Sequence, residues 1–404
     1  MLPPLQPAPT EARHEPSPRN AATAAIPVNK AGTPGAPLGS RPPGMPAGMT
    51  AAFPVRVLIC DDSALVRSLL DRALRGNPGI EVAAKAVNGL QAIEAVRGGA
   101  IDVVVLDIEM PVLDGMAALP QILAADPAVR VLMSSTLTTK GAAIALDALR
   151  LGAADYISKP TSEEGGNSAT AFAEELVAKV RGLGQQSHAR RGKPHCGQQP
   201  AAAFKLRAAS LQRPALLAIG SSTGGPAALL ALFQALGNRV EAPIVLTQHM
   251  PASFTAQLAA HIQRLGGATC AEGVHGEPLR PGHVHLAPGN HHMIIERRHG
   301  VATVALTGEP PENFCRPSVD PMLRSASAAY PGRVLTVMLT GMGQDGLLGC
   351  ERIVADGGTV MAQDEASSVV WGMPGAVARA GLCHAVLPVA ELATWILRLA
   401  GRQG

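Results

Sequence analysis

One pattern constrains this chain more than any other: short apolar runs alternate regularly with amphipathic stretches of helical period. Between residues 55 and 181 the apolar runs fall at 55–60, 80–87, 103–106, 131–133 and 155–157. The helical stretches fall at 64–74, 89–96, 115–123, 139–149 and 169–180. A strand followed each time by a helix cannot turn back as a hairpin; the helix carries the chain across the sheet, so the strands run parallel with both faces covered. Five such units in about 127 residues predict a parallel α/β domain over residues 53–181. The alternation resumes over residues 214–404, with strands expected at 215–219, 243–247, 283–287, 293–296, 303–306, 335–339 and 359–362. Helices are expected at 226–236, 253–265, 319–329, 345–356 and 390–399. This reads as a mostly parallel, doubly wound α/β domain, and His299-Gly300 marks an antiparallel hairpin at its edge.

Two segments break the pattern. Residues 1–52 are rich in Pro, Ala and Gly and carry no apolar period, which predicts a disordered tail; Met45 or Met49 is the expected start. Residues 182–213 hold six Lys or Arg and no Asp or Glu, which predicts a basic, flexible linker. The net charge of +3 is too small to argue for nucleic acid, and no compact basic helix–turn–helix follows residue 214. No apolar run approaches the ~20 residues that span a bilayer, so the chain is not expected to be membrane-embedded. The six cysteines form no C-x-x-C pair, which argues against a zinc site or a disulfide framework and for reduced, cytoplasmic thiols. Cys60 reads as a core residue. His283, His285, His291 and His292 lie within ten residues, but no cysteine or carboxylate completes a metal set, so they read as a polar strand end.

The first domain gathers acid. Its first strand ends in Asp61-Asp62 and its third in Asp107. Neighbouring parallel strands bring their C-terminal ends together, where ligands bind. Three carboxylates there repel one another unless a hard cation lies among them, and Mg2+ is the natural choice. Ser135 follows the fourth strand, and Lys159 and Pro160 follow the fifth. A hydroxyl and an ammonium beside this cluster would stabilise a phosphoryl group on Asp107.

These residues resemble a response-regulator receiver domain. The matching runs are Asp61-Asp62-Ser63, Leu106-Asp107-Ile108-Glu109-Met110-Pro111, Asp114-Gly115, Ser135-Thr136, Tyr156 and Lys159-Pro160. The resemblance implies a flavodoxin-like (βα)5 fold, Asp107 as phosphoacceptor from a histidine kinase, and Mg2+ on Asp61, Asp62 and Asp107. It also implies a switch made of Ser135, Tyr156 and Lys159.

The second domain opens on Gly220-Ser221-Ser222-Thr223-Gly224 after its first strand. This fits the G-x-S-x-G turn that exposes a serine ahead of a helix. It fits equally a glycine-rich phosphate loop, and the fragment alone does not decide. His249, just past the strand at 243–247, and Asp345, just past that at 335–339, favour the serine. A hydroxyl is a weak nucleophile and needs a base, and the base needs an orienting carboxylate. All three fall at C-terminal strand ends of one sheet. The order Ser…His…Asp differs from that of α/β-hydrolases. The bottom-up expectation is a serine hydrolase acting on a carboxyl ester or amide; a non-catalytic phosphate-binding module is the alternative.

The whole architecture is similar to the chemotaxis protein-glutamate methylesterases. The resemblance rests on residues 218–226, Gln248-His249-Met250-Pro251, Ala287-Pro288-Gly289, Arg316-Pro317-Ser318-Val319-Asp320, residues 339–346 and residues 363–367. It spans about 55–400. Ser221 stands where that family often has alanine, but the elbow spacing selects Ser222. By position, the resemblance implies Ser222 as nucleophile, His249 as base and Asp345 as orienting acid, with the N–H groups of Thr223 and Met342 as oxyanion donors. It implies a monomeric, cytoplasmic enzyme without a cofactor for hydrolysis, acting on chemoreceptors. The reactions would be release of methanol from glutamyl methyl esters and deamidation of glutamines. In the expected control, the receiver face of the fourth and fifth strands covers Ser222 until Asp107 is phosphorylated.

Overall fold

The structure, a computed structural model, describes residues 53–136, 138–159, 166–192, 205–266 and 268–401. The expected tail, Pro160 and residues 193–204 of the expected linker lie outside the described residues.

The first domain is β1 (Val55–Cys60), α1 (Ala64–Leu74), β2 (Ile80–Ala86), α2 (Gly89–Arg97), β3 (Val103–Asp107), α3 (Gly115–Ala125), β4 (Arg130–Ser135), α4 (Thr139–Arg150), β5 (Asp155–Ser158) and α5 (Gly166–Arg190). Its strands order as β2-β1-β3-β4-β5, all parallel. The expected fold is the one observed. Ser63, Asn88, Asp114 and Thr138 begin α1 to α4, each side chain accepting an N–H that the first turn leaves unpaired. β3 is buried along its whole length because helices cover both faces.

One boundary differs. Residues 182–190, read as linker from composition, continue α5. Leu183 is buried in the core, and Ser187 Oγ and His188 Nε2 reach the buried Asp102 carboxylate at 3.4 and 3.0 Å. Tertiary contacts hold a helix that composition does not announce.

The second domain is β6 (Leu216–Ser221), α6 (Gly225–Leu236), β7 (Ile244–Gln248), α7 (Ala252–Gly266), β8 (Thr269–Glu272), β9 (His283–Leu286), β10 (His292–Arg298), β11 (Val301–Thr307), α8 (Val319–Ala329), β12 (Val334–Met338), α9 (Leu347–Ala355), β13 (Thr359–Gln363), α10 (Met373–Arg379), β14 (Ala385–Leu387) and α11 (Val389–Ala400). Seven strands order as β14-β13-β12-β6-β7-β9-β8, and every pair is parallel. The hairpin exists as β10–β11, but it forms its own two-stranded sheet rather than the edge of the large one. The helix expected from 345 starts at Leu347, because Gly346 at φ 88° precedes it and Asp345 lies in the loop. β8, β14 and α10 escaped the sequence; each is seven residues or shorter and carries little period.

The two domains share a hydrophobic core in which Leu146 and Tyr156 join Phe254, Leu258 and Ile262. The faces that meet are α4, β5 and α5 of the first domain and α6, α7, Val369 and Val370 of the second. The Tyr156 and Phe254 rings stack with centroids 4.6 Å apart. His261 Nε2 lies 3.0 Å from Asp147 Oδ1. Gly182 allows the closest approach: a Cβ there would lie 1.9 Å from the Val369 carbonyl oxygen.

Candidate active site

At the C-terminal end of the first sheet, Asp61, Asp62 and Asp107 offer oxygens that all lie within 4.8 Å of one another. Among the described residues, this is the one group of His, Cys, Asp and Glu side chains close enough to share an ion. Lys159 Nζ bridges two of them, 2.8 Å from Asp61 Oδ2 and 2.7 Å from Asp107 Oδ1. Three carboxylates and one ammonium leave net negative charge, and the all-oxygen donor set suits a hard divalent cation. Burial lifts the Asp107 carboxyl above its usual range, against the pull of Lys159. Burial works against the Lys159 charge, but the two aspartates outweigh it and hold its pKa high. Ser135 is buried and donates to the Thr136 carbonyl at 3.2 Å. Burial pushes the Cys60 thiol up to about 12, so Cys60 is an inert core residue.

In the second domain β6 delivers the Gly220–Gly224 turn, and Gly224 takes φ 74° to start α6. A Cβ on Gly220 would lie 2.7 Å from Val319, so the strand end has no room for a side chain there. The two hydroxyls differ sharply. Ser221 is fully buried, and its Oγ donates to Gln248 Oε1 at 2.7 Å. Ser222 is half-buried, and among the described residues its Oγ has no hydrogen bond. Its backbone is pinned instead: Ser222 N–H donates to the Thr340 carbonyl, and Gln248 Nε2 donates to the Ser222 carbonyl, both at 3.0 Å.

β7 and the loop after β12 bring His249 and Asp345 together, with Nε2 and Oδ2 2.7 Å apart. Asp345 is nearly inaccessible and also accepts from Asn313 Nδ2, Ser318 Oγ and the N–H groups of Val319 and Asp320. Burial alone would raise its pKa, but the His249 bond and these donors depress it to about 2. Burial likewise opposes charge on His249, but Asp345 and then Cys315 outweigh it and raise the imidazole to about 9. Cys315 Sγ lies 3.3 Å from His249 Nδ1. With Nε2–H given to Asp345, Nδ1 is the basic nitrogen, and it faces the thiol rather than Ser222. The structure thus joins His249 to Asp345, and the His249 backbone N–H donates to the carbonyl of Ser221, the neighbour of Ser222, at 3.1 Å; among the described residues no bond runs from Ser222 to His249.

The N–H groups of Thr223 and Met342 find no acceptor among the described residues. The N–H of Gly224 does: it donates to Asp155 Oδ2 of the first domain at 2.9 Å. Asp155 is itself buried against Lys179, whose Nζ lies 3.1 Å away. An acid from the first domain therefore occupies the amide end of the helix behind Ser222. Gln248, Asn313, Ser318, Cys315 and Asp155 carried no role in the sequence reading. Gln248, at the end of β7, and Ser318, at the start of α8, stood in the quoted runs and could have been flagged as polar residues at element ends. Among the described residues the four histidines of 283–292 join no group of three or more possible ligands; His285 Nδ1 pairs with Glu277 at 2.9 Å, and His283 packs edge-on against His285.

Residues 217–396 match the family model described as CheB methylesterase, and residues 57–169 match that of the response regulator receiver domain. A protein-glutamate methylesterase/protein-glutamine glutaminase of Azospirillum brasilense is 49% identical, aligned over 91% of this chain and 98% of its own length. A relative with the same function in its name, from Paramagnetospirillum magneticum, is 50% identical over 86% of this chain and 97% of its own. The CheB methylesterase catalytic domain of Thermotoga maritima is 37% identical, covering 46% of this chain and all of that one, at a TM-score of 0.45.

Proposed function

This chain belongs to the protein-glutamate methylesterase/protein-glutamine glutaminase family, and we propose that Ser222, His249 and Asp345 carry its hydrolysis under control of phosphate on Asp107. The observation that carries the catalytic part is the 2.7 Å bond between His249 and Asp345, with His249 paired to the neighbour of a serine whose hydroxyl makes no hydrogen bond among the described residues. Ser222 Oγ attacks the side-chain carbonyl of a glutamyl methyl ester, and its proton passes to His249 Nδ1. Asp345 steadies the imidazolium through Nε2. The tetrahedral oxygen takes the N–H groups of Thr223 and Met342, which are free for it. His249 returns the proton to the departing methoxide, giving methanol, or to the amine of a glutamine, giving ammonia. Water, deprotonated by His249, then releases the glutamyl carboxylate from Ser222. One site serves both leaving groups because the attacked carbonyl is the same.

The geometry also explains why the resting enzyme should be slow. Nδ1 faces Cys315 and has to turn to Ser222 before the proton can move. Asp155 of the receiver ties up the Gly224 N–H next to the oxyanion donors. Asp61, Asp62 and Asp107 would hold Mg2+, which offsets the charge of an incoming phosphoryl group, while Lys159 and Ser135 would take its oxygens. Tyr156 cannot both stack on Phe254 and move toward Ser135, so phosphorylation would draw it out of the domain contact. The phosphodonor is a histidine kinase, and the substrates are methylated chemoreceptors.

The test is methanol release from membranes bearing methylated receptors, with and without a phosphodonor. The full chain should release methanol and Ser222→Ala should not, a loss of ~10⁴-fold or more in kcat. Retention of substantial activity in Ser222→Ala would overturn the assignment.

A further inference from the structure

The turn at residues 312–315 hangs directly on the His249–Asp345 pair, and it is built against its own backbone preference. Glu312 and Cys315 exchange two backbone hydrogen bonds, of 3.1 and 3.0 Å, around a two-residue loop. Asn313 and Phe314 fill that loop at φ 53° and 62°. Such a turn demands the left-handed region at both positions, where Asn followed by Gly is the favoured pair. Asn313 fits; Phe314 is a bulky residue where glycine belongs. The turn is nonetheless held firmly. Glu312 is paired with Arg324 through two contacts of 2.6 and 2.8 Å. Asn313 Nδ2 reaches Asp345 and Asp320 at 2.8 and 2.9 Å.

All this support presents one ring to water. Phe314 is 102% exposed. It buries nothing, so it adds nothing to the core, and its backbone is strained. A large aromatic kept at such a position is explained by something that covers it from outside. Its location names the occupant. The residue before it bonds Asp345, and the residue after it lies against His249. Met342, also exposed, follows Gly341, whose Cβ would meet Ser222 Cβ at 2.9 Å. Phe314 and Met342 are thus exposed apolar side chains, each adjacent in the chain to a residue that touches His249, Asp345 or Ser222.

We propose that Phe314 is a specificity-determining residue that grips the apolar surface of the polypeptide bearing the scissile side chain. This inference rests on the esterase reading above and adds that the enzyme selects protein over small esters through a preformed aromatic knob. Rigid presentation matters because an aromatic ordered before binding costs little to engage.

The experiment compares the full chain, supplied with acetyl phosphate and Mg2+, on methylated receptor membranes and on p-nitrophenyl acetate. The readout is the ratio of the two kcat/KM values. Phe314→Ala should lower that ratio about 10-fold, through KM for the receptor, as loss of a central aromatic contact does. Phe314→Trp should restore most of it. Phe314→Gly should lower the ratio equally while raising Tm, because glycine accepts the left-handed backbone. A merely structural residue would not separate stability from discrimination in that way. An unchanged ratio in Phe314→Ala, or an equal loss on both substrates, overturns the proposal while leaving the esterase reading intact. A wild-type chain that cleaves p-nitrophenyl acetate through Ser222 but frees no methanol from receptors overturns both.

Discussion

Asp345 shows how much one side chain can be asked to do. It gathers five donors, from His249, Asn313, Ser318, Val319 and Asp320, and so stays ionised in a buried place. Its charge is what lifts His249, so Asp345→Asn should move the pH–rate profile toward acid while lowering kcat by ~10³–10⁴-fold. Initial rates from pH 5 to 10 check both. With His249 as the proposed base, active only when neutral, the wild-type rate should keep rising toward about pH 9. The same shifts act on stability. The His249 pKa is raised from 6.5 to about 9, so its contribution is full below 6.5 and lost as pH rises through 9. The Asp345 pKa is lowered from 3.8 to about 2, so its contribution is present above 3.8 and lost as pH falls through 2. The Tm difference between wild type and His249→Ala should therefore be largest between pH 4 and 6.5 and shrink toward pH 9. A difference that grows with pH would contradict it. As candidates, Ser222, His249 and Asp107 were readable in the sequence because each sits where an apolar run stops, and Asp345 because it lies in the loop that follows another; in a parallel sheet these ends form the binding edge. The partners of those residues were not readable. Asn313 and Cys315 reach the site from a loop with no periodic signature, and only the folded chain brings them within 3.3 Å of Asp345 and His249.

At the scale of elements, α5 and β5 bridge the two domains. Lys179 on α5 pairs with Asp155 on β5, and Asp155 takes the N–H of Gly224 at the start of α6. One turn further along α5, Gly182 lies against the Val369 backbone with no room for a methyl group. Gly182→Ala should push α5 away from Val369 and Val370 and loosen the contact that covers the elbow. The expected outcome is a higher rate without phosphodonor, by a few-fold, with little further gain when acetyl phosphate is added. An unchanged basal rate in a folded Gly182→Ala protein would mean that α5 does not hold the elbow. The composition of residues 182–190 hid this helix. Gln, Gly and Ser suggest a linker, and the segment is helical because Leu183, Ser187 and His188 find buried partners. The alternation that exposed the long elements could not show β8 or β14, whose four and three residues are set by neighbouring strands. Nor could it show that β10 and β11 leave the large sheet, since a hairpin reads the same in either place.

At the scale of the molecule, two α/β domains with different chemistry share one hydrophobic core. That continuity is what makes control possible. A phosphoryl group on Asp107 can act on Ser222 only if the receiver state changes what β5, α4 and α5 touch. Tyr156 stacked on Phe254 and Asp155 bound to Gly224 are the contacts that would have to give way. Coupling of ~1–3 kcal/mol between the two sites corresponds to about 5- to 150-fold in rate. Access to the serine is measured most directly by its labelling rate with a fluorophosphonate in the full-length chain, with Mg2+, before and after addition of acetyl phosphate. Occlusion by the receiver predicts labelling at Ser222 that speeds up about 5- to 150-fold with acetyl phosphate, and a slow, unresponsive rate in Asp107→Asn. Equal labelling rates with and without acetyl phosphate, or a label on any residue other than Ser222, would contradict it.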